Sequence, residues 1–268
     1  METSKRLDGG QQERLGQLMW EISGGLTFAS PEAILRFEID TALQRTFQTM
    51  LNVRPFELVR KGLGHAIGKP ELRLTIEDPD EVLPEDDRIE LERFANRVFD
   101  YGVLTGTTPW GPAPRPRPDL SGPGRQFVAN MTELRTKLAD ASADRRRRTI
   151  YAHLMVEMYG ELMAALALHG FSLDQFAALG LKDGHEGYIW FLESMPSVRV
   201  NAHLYAQWLQ NPRLRFHEND LNDWHYVGAA VAHADVVVTE RHFAHTVNAG
   251  QLSKKAIVIT DLANLPAA

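Results

Sequence analysis

Apolar residues recur mainly at helical spacing along this chain, and the pattern changes to short continuous runs only near the end. Leu15, Leu18, Met19 and Ile22 predict a helix over 11–23 that Gly24-Gly25 stops. Leu26-Thr27-Phe28 reads as a very short strand. Ser30-Pro31-Glu32 starts the next helix, with Ser30 as N-cap and Pro31 at the first helical position; Ile34, Phe37, Leu43 and Phe47 carry it towards Met50. Glycines at 62, 64 and 68 and prolines at 70, 79 and 84 break the pattern before a helix over 86–99. The stretch 105–124 holds six of the 14 prolines, a density that blocks helix and central strand, so an exposed, partly extended loop is expected. Helices over 127–139 and 146–169 follow. The second is apolar on much of its surface (Ile150, Leu154, Met158, Leu162, Leu166) and is expected to be buried.

The last third changes character. Helices are predicted over 198–210 and 221–233, the latter ending in Gly228, Ala229 and Ala230. Val236-Val237-Val238-Thr239 and Ala256-Ile257-Val258-Ile259-Thr260 then flank a short helix over 241–249. Such continuous apolar runs are what buried parallel strands look like. Strand, helix and strand with short connections make a βαβ unit, so a parallel sheet is expected. Sites in open α/β sheets lie at the carboxyl ends of the strands. That places Thr239 and Glu240 at the rim of a cleft, with Asp235 at the opposite end.

Composition narrows the classes. The 268 residues suffice for one large domain or two small ones. The absence of cysteine removes disulfides, thiolate zinc sites and cysteine nucleophiles, and fits a reducing compartment. A net charge of −6 argues against a dominant nucleic-acid-binding surface but not against one local groove. No apolar run approaches the roughly 20 residues that span a bilayer, and residues 1–10 are too polar for a signal peptide, so a cytoplasmic protein without a membrane partner is expected. Gly-Leu-Gly-His at 62–65 lacks the ending of a P-loop, and neither G-x-G-x-x-G after a strand nor G-x-S-x-G occurs.

The stretch from Asp220 to Glu240 carries the chemistry. It offers acids at a helix start, Asp220 and Asp223, and an acid just past a buried strand, Glu240. Carboxylates converging there repel each other unless a divalent cation neutralises them. Mg²⁺ needs only a few carboxylates plus water and phosphate, and would activate water for phosphodiester hydrolysis. The plainer alternative makes Asp220 and Asp223 helix N-terminal acids favoured by the dipole, and Glu240 the first residue of the next helix.

Asp223, then Ala229-Ala230, then Val236-Val237-Val238-Thr239-Glu240 resemble, in order and approximate spacing, the C-terminal half of a PIN-like (PilT N-terminus-like) nuclease domain. One departure is that the last acid is Glu and follows Thr239 directly. The segment from Met1-Glu2 through Trp20-Glu21-Ile22-Ser23 to Gly24-Gly25-Leu26-Thr27-Phe28 resembles the region after the first strand of such domains. The resemblance implies an α/β fold, a PIN-like parallel sheet flanked by helices with a large, mostly helical insertion. Residues 1–30 and 196–268 would form the PIN-like domain and 31–195 the insertion or cap, with Leu26–Phe28 the second strand. It implies a metal-dependent ribonuclease, of the toxin or defence kind, using Mg²⁺ or Mn²⁺. Asp223, Glu240, Asp220 and Glu2 would be the metal-site acids, and Thr239 would orient water or phosphate. The partners implied are RNA or another single-stranded nucleic acid, and an antitoxin or a second copy of the chain. The family's first strand and its Asp have no counterpart before Glu2, so Met1 is expected to be an internal methionine. The alternative function is a non-catalytic binding or scaffold protein that uses the helical middle for partners.

Other features compete. Glu38 and Asp40 sit two apart on one helix and cannot share a face; one reaches the cleft, or both are surface charge. His242 and His245 have the i, i+3 spacing of a zinc pair, which would make a zinc-dependent hydrolase. His225 lies near Asp223 in sequence, as a phosphate contact or a packed side chain. Arg145–Arg148 and the Arg115-Pro116-Arg117-Pro118 stretch would grip a phosphate backbone, or lie on a solvated face and a loop.

Overall fold

Several helices start on the local chemistry their sequences supply. Pro31 opens one. The Ser142 hydroxyl accepts the Arg145 N–H at 3.2 Å, and Ser172 and Gln175 form a reciprocal capping box. The computed structural model describes residues 9–53, 56–68, 73, 75, 83–105, 107, 108, 111, 112, 121–218, 220–250, 252 and 256–264. In chain order the elements begin with α1 (Gly9–Ser23), β1 (Leu26–Phe28), α2 (Pro31–Phe47), β2 (Val59–Lys61), α3 (Leu63–Ala66) and α4 (Glu85–Thr105). Next come β3 (Thr107–Thr108), β4 (Gly111–Pro112), α5 (Ser121–Leu138), α6 (Ala143–Glu157), α7 (Tyr159–Leu168), α8 (Leu173–Asp183) and α9 (His185–Glu193). The chain continues with α10 (Pro196–Gln210), α11 (Asp220–His233), β5 (Val236–Val238), α12 (Arg241–Ala249) and β6 (Ile257–Ile259).

Contacts divide the chain into two units, Met1–Ser30 with Glu57–Asp119, and Pro31–Phe56 with Leu120–Ala268. The helical middle, 31–195, contributes to both. In the first unit α1 packs along α4, where Trp20 meets Tyr101 edge to face at 6.0 Å. Gly24 and Gly25, at φ 58° and 77°, take the left-handed backbone that ends α1. β1 pairs antiparallel with β2 in the register Leu26↔Lys61, Thr27↔Arg60, Phe28↔Val59. The Thr27 hydroxyl closes the pair by donating to the Gly62 carbonyl at 2.6 Å.

The second unit is built around α10. Val198, Val200, Leu204, Tyr205, Trp208 and Leu209 are all buried on it. Trp208 and Trp224 meet at 4.5 Å between ring centroids, and Tyr205 and Phe243 complete that aromatic core. Where α10 and α11 pack, the Asn201 amide lies directly on Gly228, and an added Cβ there would fall 1.9 Å from Asn201 Oδ1.

A buried acid ties three helices of this unit together. Glu38 of α2, 3% exposed, accepts the Ser197 backbone N–H at 2.9 Å (Oε1) and 3.2 Å (Oε2) and the Ser197 hydroxyl at 2.5 Å. His233 Nε2, in the last turn of α11, lies 2.6 Å from Glu38 Oε1. The carboxylate thus satisfies an orphan N–H at the start of α10 from a different helix. Asp40, on the same helix, pairs with His169 Nε2 at 2.9 Å. Neither acid is surface charge, which corrects that expectation.

The PIN-like parallel sheet is not present: the described residues are mostly helical, with three two-stranded sheets of two or three residues per strand. β5 and β6 do pair parallel, Val236↔Ile257 to Val238↔Ile259, so the βαβ unit forms as expected. It stays two-stranded. Only Val237 and Val258 are buried, while Val238 is 44% and Ile257 50% exposed, whereas a central parallel strand is covered on both faces. Leu26–Phe28 joins β2, not β5, and so is not the second strand of that sheet. The expected helix over 146–169 breaks at Met158 (φ −92°, ψ 3°), two residues before Gly160, into α6 and α7. The expected loop over 105–124 is helical at Thr105 and again from Ser121; its stretch 113–120, with Arg115–Pro118, lies outside the described residues.

Candidate functional site

The βαβ unit positions the acids singled out from sequence. α11 runs into β5 through Ala234-Asp235 and packs against it. Asp223 is half-buried in the first turn of α11. Asp220 is buried, and its Oδ2 accepts the backbone N–H of His217, three residues before the helix, at 2.7 Å. The Thr239 N–H donates to the Ile259 carbonyl at 3.0 Å and extends the β5–β6 ladder. Glu240 occupies the N-cap position of α12, with a 70% exposed side chain and His242 Nδ1 3.3 Å away. Glu2 lies outside the described residues.

Among the described residues, no three or more His, Asp or Glu side chains gather around a point where one ion could sit. The same finding bears on the zinc pair: His242 stacks on Phe243 at 4.3 Å, and His245 is exposed.

The arginine run is not a bare phosphate-gripping stripe either. Arg147 bonds Glu186 at 3.0 Å and Glu193 at 3.2 Å, and Arg148 bonds Asp144 at 2.8 Å. Tyr151 donates to Glu193 at 2.9 Å, and burial together with that carboxylate raises the phenol's pKa above its ordinary value. On the other side of α6, Glu157 accepts from Tyr205 at 2.6 Å and sits 3.2 Å from His153 Nε2. Burial opposes ionisation of Glu157, but these two partners outweigh it and hold the carboxyl below its usual range. Glu157 in turn raises the His153 pKa.

Two cavities stand apart from these acids. In the first unit, a cleft of about 900 Å³ is bounded by Gly25, Gly62, Gly64, His65, Arg93 and Asp100. Glycines that sequence reading excluded as a P-loop thus line a cleft of another kind, in which His65 Nε2 is buried without a hydrogen-bond partner.

In the second unit, α6, α7, α8 and α9 enclose a pocket of about 330 Å³. Met155, Leu162, Met163, Phe176, Ile189 and Leu192 make its apolar body. Tyr188 belongs to the lining as well, with its hydroxyl turned to the Ala177 carbonyl at 3.0 Å. Arg148 and His185 bring charge-bearing groups to the same lining, and no Asp or Glu is among the described residues that form it. Sequence reading found the apolar face of α6 and α7 but not the pocket, because α8 and α9 supply the opposite wall. Comparison with protein-family models, with curated proteins and with solved structures found no match.

Proposed function

We propose that this chain is a non-catalytic binding protein whose helical unit takes a small apolar ligand. The observation that supports this reading is the pocket among α6, α7, α8 and α9, whose size falls at the lower end of the roughly 300–1,000 Å³ of small-molecule sites. Its body is apolar, and the lining hydroxyls of Tyr151 and Tyr188 already have partners in the protein. Such a surface favours burial of hydrocarbon and offers few groups for bond-making chemistry. Titration with 1-naphthylamine, a fluorescent probe uncharged at pH 7 and small enough for the pocket, tests it. Saturable one-to-one binding that Ala152→Trp blocks is expected. Binding that never saturates, or that Ala152→Trp leaves unchanged, refutes it.

The second reading is a metal-dependent ribonuclease using Asp223, Glu240 and Thr239. The parallel β5–α12–β6 crossover favours it, since Thr239 and Glu240 directly follow the carboxyl end of β5. Mn²⁺-dependent cleavage of labelled single-stranded RNA, abolished by Asp223→Ala, would establish this reading over the first. Cleavage that survives Asp223→Ala, or none by a folded protein, counts against it.

A further inference from the structure

The lining of the α6–α9 pocket selects a class of ligand, and this step rests on the binding reading above. A volume of about 330 Å³ holds about eleven groups of roughly 30 Å³ each, the share of one water-sized unit in a liquid. The body of the pocket is thioether, aliphatic and aromatic, so those groups are hydrocarbon. Arg148 and His185 also contribute to the lining, and no carboxylate among the described residues does. Among the described residues Arg148 pairs with Asp144, one turn earlier on the same helix, at side-chain exposures of 43% and 64%. Exposed i, i+4 pairs of this kind are weak and exchange readily, so the guanidinium can turn to another anion at little cost. Tyr159 and Leu173, both about half exposed, add apolar surface to the lining where solvent reaches it.

We propose that the pocket binds a medium-chain aliphatic carboxylate, the chain lying between α6 and α8 and the carboxylate meeting Arg148. An amine head would meet the guanidinium as a like charge. An uncharged head would keep the chain's contacts and lose the ion pair. A chain longer than about eleven carbons would overfill the space and leave its end in water.

Isothermal titration of the full chain with octanoate, decanoate, dodecanoate and tetradecanoate, each below its micelle concentration, reads the inference directly. Affinity is expected to rise about fourfold for each added methylene, the equivalent of ~0.8 kcal/mol, and to level off beyond about eleven carbons. Decanoate is expected to bind more tightly than decanol, and decylamine least. Arg148→Gln is expected to weaken decanoate by roughly two- to fivefold and to leave decanol unchanged, as loss of one exposed ion pair would. Ala152→Trp, at an exposed position in the lining, is expected to weaken both by at least tenfold, with unchanged circular dichroism.

Decanol binding as tightly as decanoate, or decylamine equalling it, would overturn the carboxylate assignment while leaving an apolar site in place. Affinity rising without a plateau would mean partition onto the surface and overturn the pocket. Failure of all ligands, with a self-associated protein by sedimentation that Ala152→Trp turns monomeric, would show a second copy covering the face and overturn both readings. If Ala152→Trp does not fold, the decanoate-to-decanol ratio in Arg148→Gln still decides the head-group assignment.

Discussion

Replacing Glu38 with alanine is expected to destabilise the second unit by about 4 kcal/mol. The carboxylate accepts three hydrogen bonds from Ser197 and faces His233 Nε2 at 2.6 Å. Alanine would leave the Ser197 N–H and hydroxyl buried without an acceptor, at ~1–3 kcal/mol each. His233, 19% exposed at its side chain, recovers part of its loss through water, so it adds less. Glu38→Gln keeps the shape and one acceptor oxygen but turns an amide towards donors, and about half the loss is expected. Urea unfolding at pH 7, followed by tryptophan fluorescence, reads this from the core that holds Trp208 and Trp224. With a slope of about 2 kcal/mol/M, Cm should fall by about 2 M for alanine and about 1 M for glutamine. In a double-mutant cycle, Glu38→Ala and His233→Ala should couple by roughly 0.5–3 kcal/mol. A loss under about 1 kcal/mol for Glu38→Ala, or equal losses for alanine and glutamine, would refute the view that this acid satisfies the start of α10.

Gly228→Ala should lower stability by about 1–3 kcal/mol, because the new methyl meets Asn201 Oδ1 between packed helices; thermal unfolding checks this, and an unchanged Tm would contradict the close approach. Arg135 donates to the carbonyls of Trp208 at 3.0 Å and Leu214 at 2.8 Å, with its guanidinium 4.1 Å from the Phe216 ring centroid. Arg135→Lys, which cannot hold that fork, should cost roughly 1–2 kcal/mol in urea unfolding, and no cost would remove the capping role. Glu157, held below its ordinary pKa, contributes stability that is present above about pH 4.5 and is lost as pH falls through its folded value. His153, raised, contributes stability that is full below about pH 6.5 and is lost as pH rises through its folded value. Their combined contribution should therefore peak between those limits, and His153→Ala should flatten that part of the stability-versus-pH curve.

Helix starts and stops were the most legible features, because the chemistry that sets them is local. Pro31 and the Gly24-Gly25 stop follow from residues within one turn of the boundary. The β5–α12–β6 unit was legible for the same reason: its short connections leave little choice of pairing. The size of its sheet was not, since three valines in a row report an apolar strand but not how many neighbours it has. β2 escaped notice because Val59-Arg60-Lys61 is short, mostly charged and exposed at all three positions, and only its pairing with β1 makes it a strand. Glu38 read as a surface acid because spacing along a helix shows neighbours four residues away, while its partners lie 159 and 195 residues further on. Asp220 shows the converse limit, since the same residue type at a helix start can serve a metal or a backbone N–H, and the contact of its Oδ2 with the His217 N–H leaves no signature in the spacing.

The path of the chain between the two units has a consequence for biosynthesis. α2 is made between the two segments of the first unit, yet its buried face belongs with helices made after Leu120. At ~5–20 residues per second on the ribosome, the 159 residues between Glu38 and Ser197 take about 8–32 s to appear. Ile39 and Leu43 have no partner helix until α7 is made, and throughout the whole interval the Glu38 carboxylate has not met its serine. Nascent chains stalled shortly after α2 should therefore recruit holding chaperones, and release should follow emergence of α10 from the exit tunnel.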